Sequence, residues 1–157
     1  MEIRYATAAD VKPLAEMGRQ VHAQTRFSNF TYQPEKVEKA LLQILQYNQG
    51  QYGFFVAERK DGSVAGGLVG VIETHIFSDQ PVATLVLYEV QSAARMSGVG
   101  YRLLLAFRKW AESKQAVELN VGISSGVELQ KMDRFLKKLG FRITGGNYSL
   151  TIGGEQC

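Results

Sequence analysis

A chain of 157 residues with 45% apolar and 21% charged residues is expected to fold as one domain of ordinary size rather than stay disordered. The net charge is only +3, and no apolar run approaches the roughly 18 residues that a membrane-spanning helix needs, so we expect no membrane association. The single cysteine, Cys157, excludes an internal disulfide and a cysteine metal cluster, and no signal peptide is visible, so the reducing cytoplasm is the expected compartment.

The pattern of apolar and turn residues predicts an α/β domain with a mixed sheet, in the order β-α-α-β-β-β-α-β-α-β-β. In chain order the first predicted elements are a strand at 3–6, a helix opened by the capping-box-like segment 7–10, a loop at 24–32 and a helix from Pro34 to about Gly50. A hairpin of 53–58 and 64–77, loosened at Gly66 and Gly67, follows, and then come a strand at 83–90 and a helix after Gly100. The last predicted elements are a strand at 117–121, a helix from about Val127 to Leu139 stopped by Gly140, and a hairpin of 141–144 and 148–152. One domain is therefore predicted over residues 1–152, with a loose tail at 153–157.

The basic residues do not predict a nucleic-acid partner. The densest stretches lie on two predicted helices and are mixed with acidic and apolar residues. Nucleic-acid binders usually gather lysine and arginine into one stripe. Solvated helix faces explain these stretches better.

A glycine-rich loop joins the predicted strand 83–90 to the helix that follows. It contains Arg95, Gly98 and Gly100 in an Arg-x-x-Gly-x-Gly pattern. Glycines allow a ligand close to the backbone, and the first N–H groups of a helix lie unpaired at its positive end. We therefore predict a phosphate site formed by the backbone of Met96, Ser97, Gly98, Val99, Gly100 and Tyr101. The pattern is neither the dinucleotide fingerprint nor a P-loop.

Together with a second segment, this loop resembles the GNAT superfamily of acetyl-CoA-dependent N-acetyltransferases. Val90 stands at the family's strand position, and Arg95, Gly98 and Gly100 match its Arg/Gln-x-x-Gly-x-Gly/Ala loop. The segment 135–141, Phe-Leu-Lys-Lys-Leu-Gly-Phe, looks like the family's aromatic-x-x-x-Leu-Gly-Phe ending. The resemblance covers nearly the whole chain. It implies a mixed, mostly antiparallel twisted sheet flanked by helices.

The resemblance also implies a function, which is transfer of the acetyl group of acetyl-CoA to a primary amine without a metal. The diphosphate of the donor would lie on the loop that begins at Arg95. Its pantetheine amides would pair with the open strand edge at Tyr88 to Val90. The acceptor, an amine or a protein, stays open because a fold does not fix a substrate. A homodimer is compatible with the resemblance.

Acetyl transfer to an amine needs a group that accepts the proton of the amine. Glu89, in the strand beside the expected reaction centre, is the first candidate for the base or for orienting its water. A solvated or salt-bridged carboxylate at a strand edge is the alternative. Glu73 and His75 are weaker candidates.

The leaving thiolate needs a proton donor. The family often has a tyrosine four residues before the glycine of the second motif, but this chain has Leu136 there. Tyr148, at the start of the last predicted strand, is the candidate to replace it, with a packed core tyrosine as the alternative. Because the usual donor is missing, a module that binds CoA or a protein with little or no turnover remains a second functional hypothesis.

An aromatic cluster lies in the loop between the first two predicted helices. It consists of Phe27, Phe30 and Tyr32. The resemblance implies that this region lines the acceptor pocket. Packing of a long loop onto the sheet is the alternative.

Overall fold

A computed structural model describes residues 1–123, 125–126 and 128–153 and divides the chain into two compact units, Met1–Gly122 and Ile123–Cys157. The first unit contains β1 (Glu2–Tyr5), α1 (Val11–Ala23), α2 (Pro34–Gln46), β2 (Tyr52–Glu58), β3 (Val64–Thr74), β4 (Pro81–Val90), α3 (Val99–Ser113) and β5 (Leu119–Asn120), and the second contains α4 (Leu129–Lys138). The single domain over residues 1–152 stays a prediction. The tail beyond Gly153 and the expected helix start at Val127 lie outside the described residues.

The five strands form one sheet in the order β1-β2-β3-β4-β5. The first three pairings are antiparallel, and only β4 and β5 run parallel. Parallel neighbours need a crossover connection, which α3 supplies here. The predicted α/β fold with a mixed, mostly antiparallel sheet is confirmed.

Helices cover the two faces of this sheet through different contacts. On one face, α1 and α2 bury a cluster consisting of Val11, Leu14, Leu41, Phe54, Val56 and Val69. On the other face, α3 brings Phe107 and Trp110 against the strand glycines Gly70 and Gly53. A Cβ at either glycine would overlap an aromatic ring, so the absence of side chains there allows close packing of α3 on the strands.

The edge of β4 is open over its second half. The register with β3 shifts so that Val69 faces Leu87 while Gly70 faces Leu85, which makes the exposed Val86 an extra residue. Such a bulge bends its strand. On the opposite edge, β5 pairs only with Ala83 and Thr84. From Leu85 to Val90, β4 therefore has no ladder partner on that edge among the described residues.

The predicted C-terminal hairpin is wrong. The described residues 141–153 contain no strand, although the sequence predicts strands at 141–144 and 148–152. An isolated two-stranded hairpin is marginally stable in water, and Gly145 and Gly146 add backbone entropy to the turn. The apolar side chains that would have packed on a sheet are exposed: Ile143, Tyr148, Leu150 and Ile152.

Smaller corrections concern boundaries. The strand predicted at 117–121 shortens to Leu119–Asn120. The loosening predicted at Gly66 and Gly67 has a counterpart in the β2–β3 register, which shifts so that Ala57 faces Gly66 while Glu58 faces Val64. Toward β4, Gly66 and Gly67 pair in register with Val90 and Glu89. The stop at Gly140 is confirmed by its φ of 93°. Within the described ranges, no helix combines the length and apolar character that crossing a bilayer requires.

Candidate functional site

The loop between β4 and α3 ends on a left-handed residue. A short 3-10 turn, Ser92–Ala94, is followed by exposed residues up to Gly98, which has φ 80° and directly precedes α3. Glycine adopts this conformation without the strain that a Cβ would bring. Apart from the adjoining residues, no heavy atom of the described chain lies within 4 Å of the position that a Cβ would take at Gly98. The backbone here is accessible to a ligand.

Most N–H groups of this loop point away from protein acceptors. The N–H of Ser97 donates to the carbonyl of Ala94 at 3.1 Å, and the N–H of Arg102 donates to the carbonyl of Gly98 at 3.1 Å. Within the described part of the chain, no hydrogen bond occupies the N–H groups of Met96, Gly98, Val99, Gly100 and Tyr101. Five of the six N–H groups predicted from the sequence are thus available. Their arrangement at the positive end of α3 suits an anion.

Two hydrogen bonds fix how the loop leaves the strand. The N–H of Gln91 donates to the carbonyl of Ala65 at 2.8 Å, and Nε of Arg95 donates to the carbonyl of Val90 at 3.3 Å. Backbone groups alternate between the two edges of a strand. Because Gln91 bonds toward β3, the backbone groups of Tyr88 and Val90 point to the open edge. The predicted strand positions therefore expose hydrogen-bonding groups beside the loop.

The side chain of Tyr88 explains the second loop glycine. Its hydroxyl lies against Gly100, where a Cβ would overlap it. Burial raises the pKa of Tyr88 to about 12, so the phenol stays protonated at neutral pH. Gly100 lets the first turn of α3 approach the strand.

Glu89 points to the other face of the sheet, toward α1. It is only 9% exposed, and burial raises the pKa of its carboxyl to about 7. No ion pair or hydrogen bond to this carboxylate occurs among the described residues, so the salt-bridge alternative has no support there. No fully buried side-chain oxygen among the described residues lacks a partner, so the unpaired carboxyl oxygens of Glu89 keep some contact with solvent although the residue is mostly buried. A carboxyl of this kind, with a pKa near 7, suits a proton acceptor.

Tyr32 and Glu89 converge on Gly18 of α1. A Cβ at Gly18 would lie 2.6 Å from Oη of Tyr32 and 3.4 Å from Oε2 of Glu89. Oη of Tyr32 donates to the carbonyl of Ala15 at 2.6 Å, which holds the loop before α2 against α1. The ring of His22 lies 5.2 Å from the ring of Tyr32. Gly18 of α1 and Tyr32 therefore line one side of the Glu89 carboxyl.

The other two aromatic candidates, Phe27 and Phe30, form a pair of their own. Phe27 and Phe30 contact each other with ring centroids 6.4 Å apart in the 3-10 turn Arg26–Asn29 and its cap, and Phe30 is 67% exposed. The guanidinium of Arg26 lies 4.3 Å over the Phe27 ring. No ring contact links this pair to Tyr32 in the described residues. Their assignment to the acceptor pocket stays a prediction.

The second unit contains Tyr148, the candidate for thiolate protonation, and Leu136, which stands where the family often has a tyrosine. Tyr148 is 99% exposed, and Leu136 is buried within α4. The role of Tyr148 stays a prediction, although the strand expected to begin there is absent.

The two weaker candidates for the base lie elsewhere in the first unit. Glu73 accepts a hydrogen bond from Thr84 at 3.0 Å. It lies six residues along β3 from Gly67, the register partner of Glu89, which is roughly 20 Å. His75 stacks on Phe77 beyond the end of β3. Neither lies beside Glu89.

Sequence reasoning missed Gly18. A glycine inside a helix costs about 1 kcal/mol relative to alanine, so an isolated one indicates a packing or functional reason. That signal was available in α1, but only the packed structure shows that the reason is space for Tyr32 and Glu89.

Among the described residues, no three His, Cys, Asp or Glu side chains gather closely enough to hold a metal ion.

Comparison with known proteins finds a matching family. The model of the Acetyltransferase (GNAT) family matches residues 20–141, a range that includes the open strand, the loop and α4. No curated protein matches the chain.

Solved structures share the fold at low sequence identity. A tetramutant of the BH1408 protein from Bacillus halodurans aligns with a TM-score of 0.80 and 19% identity, over 97% of this chain and 100% of that one. An aminoglycoside antibiotic 6'-N-acetyltransferase from Acinetobacter haemolyticus aligns with a TM-score of 0.72 and 19% identity, over 99% of this chain and 100% of that one. Glucosamine-6-phosphate N-acetyltransferase from Arabidopsis thaliana aligns with a TM-score of 0.73 and 16% identity, over 96% of this chain and 97% of that one. These likenesses show the fold, and the family match over residues 20–141, which is more than half of the chain, shows that the chain belongs to the GNAT acetyltransferase family.

Proposed function

We propose that this protein transfers the acetyl group of acetyl-CoA to a primary amine, with Glu89 as the base. The observation that carries the proposal is the buried, unpartnered Glu89 carboxyl, which lies on the strand with the open edge. The solved relatives include two N-acetyltransferases, one for an aminoglycoside and one for glucosamine-6-phosphate. An amine acceptor is consistent with both.

The residues of the loop and strand fit the donor. Acetyl-CoA supplies a thioester, a diphosphate and two pantetheine amides. The five available N–H groups between Met96 and Tyr101 suit the diphosphate. The backbone groups of Tyr88 and the N–H of Val90 at the open edge suit the amides, and one N–H of this edge would stabilise the negative charge that develops on the thioester oxygen.

Glu89 provides what the amine requires. A primary amine has a pKa near 10 and is mostly protonated in neutral solution. The Glu89 carboxylate, populated above about pH 7, accepts this proton directly or through water. The neutral amine nitrogen then forms a bond to the thioester carbon, the nitrogen gives its second proton to solvent, the carbon–sulfur bond breaks, and the thiolate takes a proton. Tyr148 is proposed as the donor of that proton.

Turnover tests this proposal directly. Purified protein with acetyl-CoA and a primary amine should release free CoA thiol and an N-acetylated product, measured with a thiol reagent and by mass spectrometry. Thiol release must depend on the amine. If no primary amine in a broad panel is acetylated above the rate without protein, the proposed reaction is wrong.

A charge placed on the loop should weaken donor binding. Met96 is 90% exposed beside the available N–H groups, so substitution there should leave the fold intact. Met96→Glu should lower the affinity for CoA by about 10-fold in low salt through repulsion of the diphosphate, whereas the isosteric Met96→Gln should bind nearly as well as the parent. Isothermal titration calorimetry measures both. Equal affinities would place the diphosphate elsewhere.

A binding module without turnover is the second candidate. The observation in its favour is Leu136, an apolar, buried residue where the family often has a proton donor. In that case CoA should raise the melting temperature by binding the folded state. No amine would then increase thiol release.

A further inference from the structure

Arg59 links the turn between β2 and β3 to the start of the loop between β4 and α3. It directly follows the last residue of β2 and is half-buried. Its Nη1 donates to Oγ of Ser63 at 3.3 Å and to the carbonyl of Val64 at 3.1 Å, and its Nη2 donates to Oε1 of Gln91. Gln91 lies 32 residues further along the chain, so the last of these bonds joins two distant segments.

Gln91 is the residue at which the loop leaves the sheet. Its N–H donates to the carbonyl of Ala65 on β3 at 2.8 Å, and its carbonyl accepts the N–H of Ala94 at 2.8 Å, which closes the 3-10 turn Ser92–Ala94. Because a guanidinium only donates hydrogen bonds, Arg59 also fixes the side-chain amide of Gln91 with Oε1 facing it. Both the backbone and the side chain of Gln91 are therefore held.

The loop beyond Gln91 has no further hydrogen bond to β2 or β3 among the described residues. The carbonyl of Ala94 accepts the N–H of Ser97 at 3.1 Å, and Nε of Arg95 donates to the carbonyl of Val90 at 3.3 Å, so these bonds stay within the loop and the end of β4. Ala94 is buried, whereas residues 95–98 are exposed. The loop is thus anchored at its two ends, by Gln91 before it and by α3 after it.

The two anchors control different N–H groups. Those of Val99, Gly100 and Tyr101 belong to α3, whereas those of Met96 and Gly98 precede it and depend on the course of the loop from Gln91. A loop that is already ordered loses less conformational freedom when a ligand binds, which improves affinity. Loosening the Gln91 anchor should therefore weaken binding at this loop without abolishing it.

We propose that Arg59 is a positioning residue for donor binding, which acts by holding Gln91 and thereby the N–H groups of Met96 and Gly98. The effect on the donor rests on the proposed function, in which these groups receive the diphosphate. The coupling between Arg59 and the loop is a property of the free protein. It is therefore measurable with and without CoA.

A double-mutant cycle with Arg59→Met and Gln91→Met tests the coupling in the presence of CoA. Each change removes one partner of the bond and keeps an unbranched side chain. Each should lower the affinity for CoA by about 3- to 10-fold, and the double variant should lose no more than the weaker-binding single variant, because no bond is left to remove. Isothermal titration calorimetry measures the affinities. Losses that multiply in the double variant would overturn the proposal.

Two comparisons separate positioning from other effects of Arg59. Gln91→Met leaves every charge in place, so an unchanged affinity there, with a loss in Arg59→Met, would show that Arg59 only attracts the anionic donor by its charge. Ser63→Ala removes a turn contact of Arg59 and leaves Gln91 intact, so this control should bind CoA like the parent. An equal loss in Ser63→Ala would assign the effect to the turn. Either result would overturn the proposal.

Amide hydrogen exchange without CoA keeps this inference apart from the proposed function. In Arg59→Met and Gln91→Met, the N–H groups of Ala94 and Ser97, which are hydrogen-bonded inside the loop, should exchange about 3- to 10-fold faster, while exchange in α1 and α2 is unchanged. If the parent does not bind CoA, the proposed donor site is wrong, and exchange alone then decides whether Arg59 holds the loop. Exchange that is unchanged in the loop, or faster throughout the chain, overturns the positioning role.

Discussion

Replacing Glu89 by glutamine should lower kcat by about 10²- to 10⁴-fold, the range expected when a positioned base is removed. Glutamine keeps the shape of the side chain but accepts no proton at neutral pH. The loop and the open edge of β4 are unchanged in this variant, so the affinity for acetyl-CoA should stay at the parental value. Stopped assays with a saturating primary amine, together with calorimetric titration of CoA, measure the two quantities separately.

The pH profile identifies the group that is lost. In the parent, kcat should rise as the pH passes about 7, because Glu89 acts in its deprotonated form. Tyr32, which lies with Glu89 at Gly18, is unchanged in Glu89→Gln. The variant should therefore lack this rising limb.

Glu73→Gln is the matched control for this experiment. Its carboxylate lies on the same sheet but is exposed and bonded to Thr84. Its rate should remain within a few-fold of the parent. A large loss of rate in Glu73→Gln together with a near-parental rate in Glu89→Gln would show that the base is Glu73 on β3 and not Glu89 on β4.

The parts of the site that depend on local sequence were predictable. Gly98 and Gly100 lie between a strand and a helix, and the chemistry of helix N-termini follows from that order alone. Glu89 was a candidate because it lies in the strand beside the reaction centre that the family resemblance implies. The conformation of Gly98 and the burial of Glu89 agree with that interpretation.

The parts that depend on pairing and packing were not predictable. The open edge follows from the extra residue Val86 and the shortness of β5, and an apolar run contains no sign of either. The meeting of Tyr32 with Glu89 depends on how α1 crosses the sheet at Gly18. The final hairpin failed for the same reason, because alternation and turn residues predict a strand but not its partner.

The burial that prepares Glu89 for proton transfer should destabilise the folded protein above neutral pH. In the folded state the pKa of Glu89 is about 7, against an ordinary value of 4.5. Below pH 4.5 the carboxyl is protonated in both states and has no effect on the free energy of unfolding. Between pH 4.5 and 7 the unfolded state loses its proton first, so stability falls as pH rises, by about 3 kcal/mol in total.

Glu89→Gln should therefore be more stable than the parent by up to about 3 kcal/mol at pH 8, which corresponds to a rise of roughly 6–12 °C in melting temperature for a chain of this size. At pH 4.5 the two proteins should be nearly equal, because both side chains are then neutral. Urea unfolding at the two pH values measures the difference. The Arg4–Asp10 pair has the opposite pH dependence, since its hydrogen bonds lower the pKa of Asp10 despite burial, but it is common to both proteins and cancels. A variant that is less stable than the parent at pH 8 would show that a favourable partner holds the ionised carboxylate. The raised pKa of Glu89, on which its assignment as the base depends, would then be wrong.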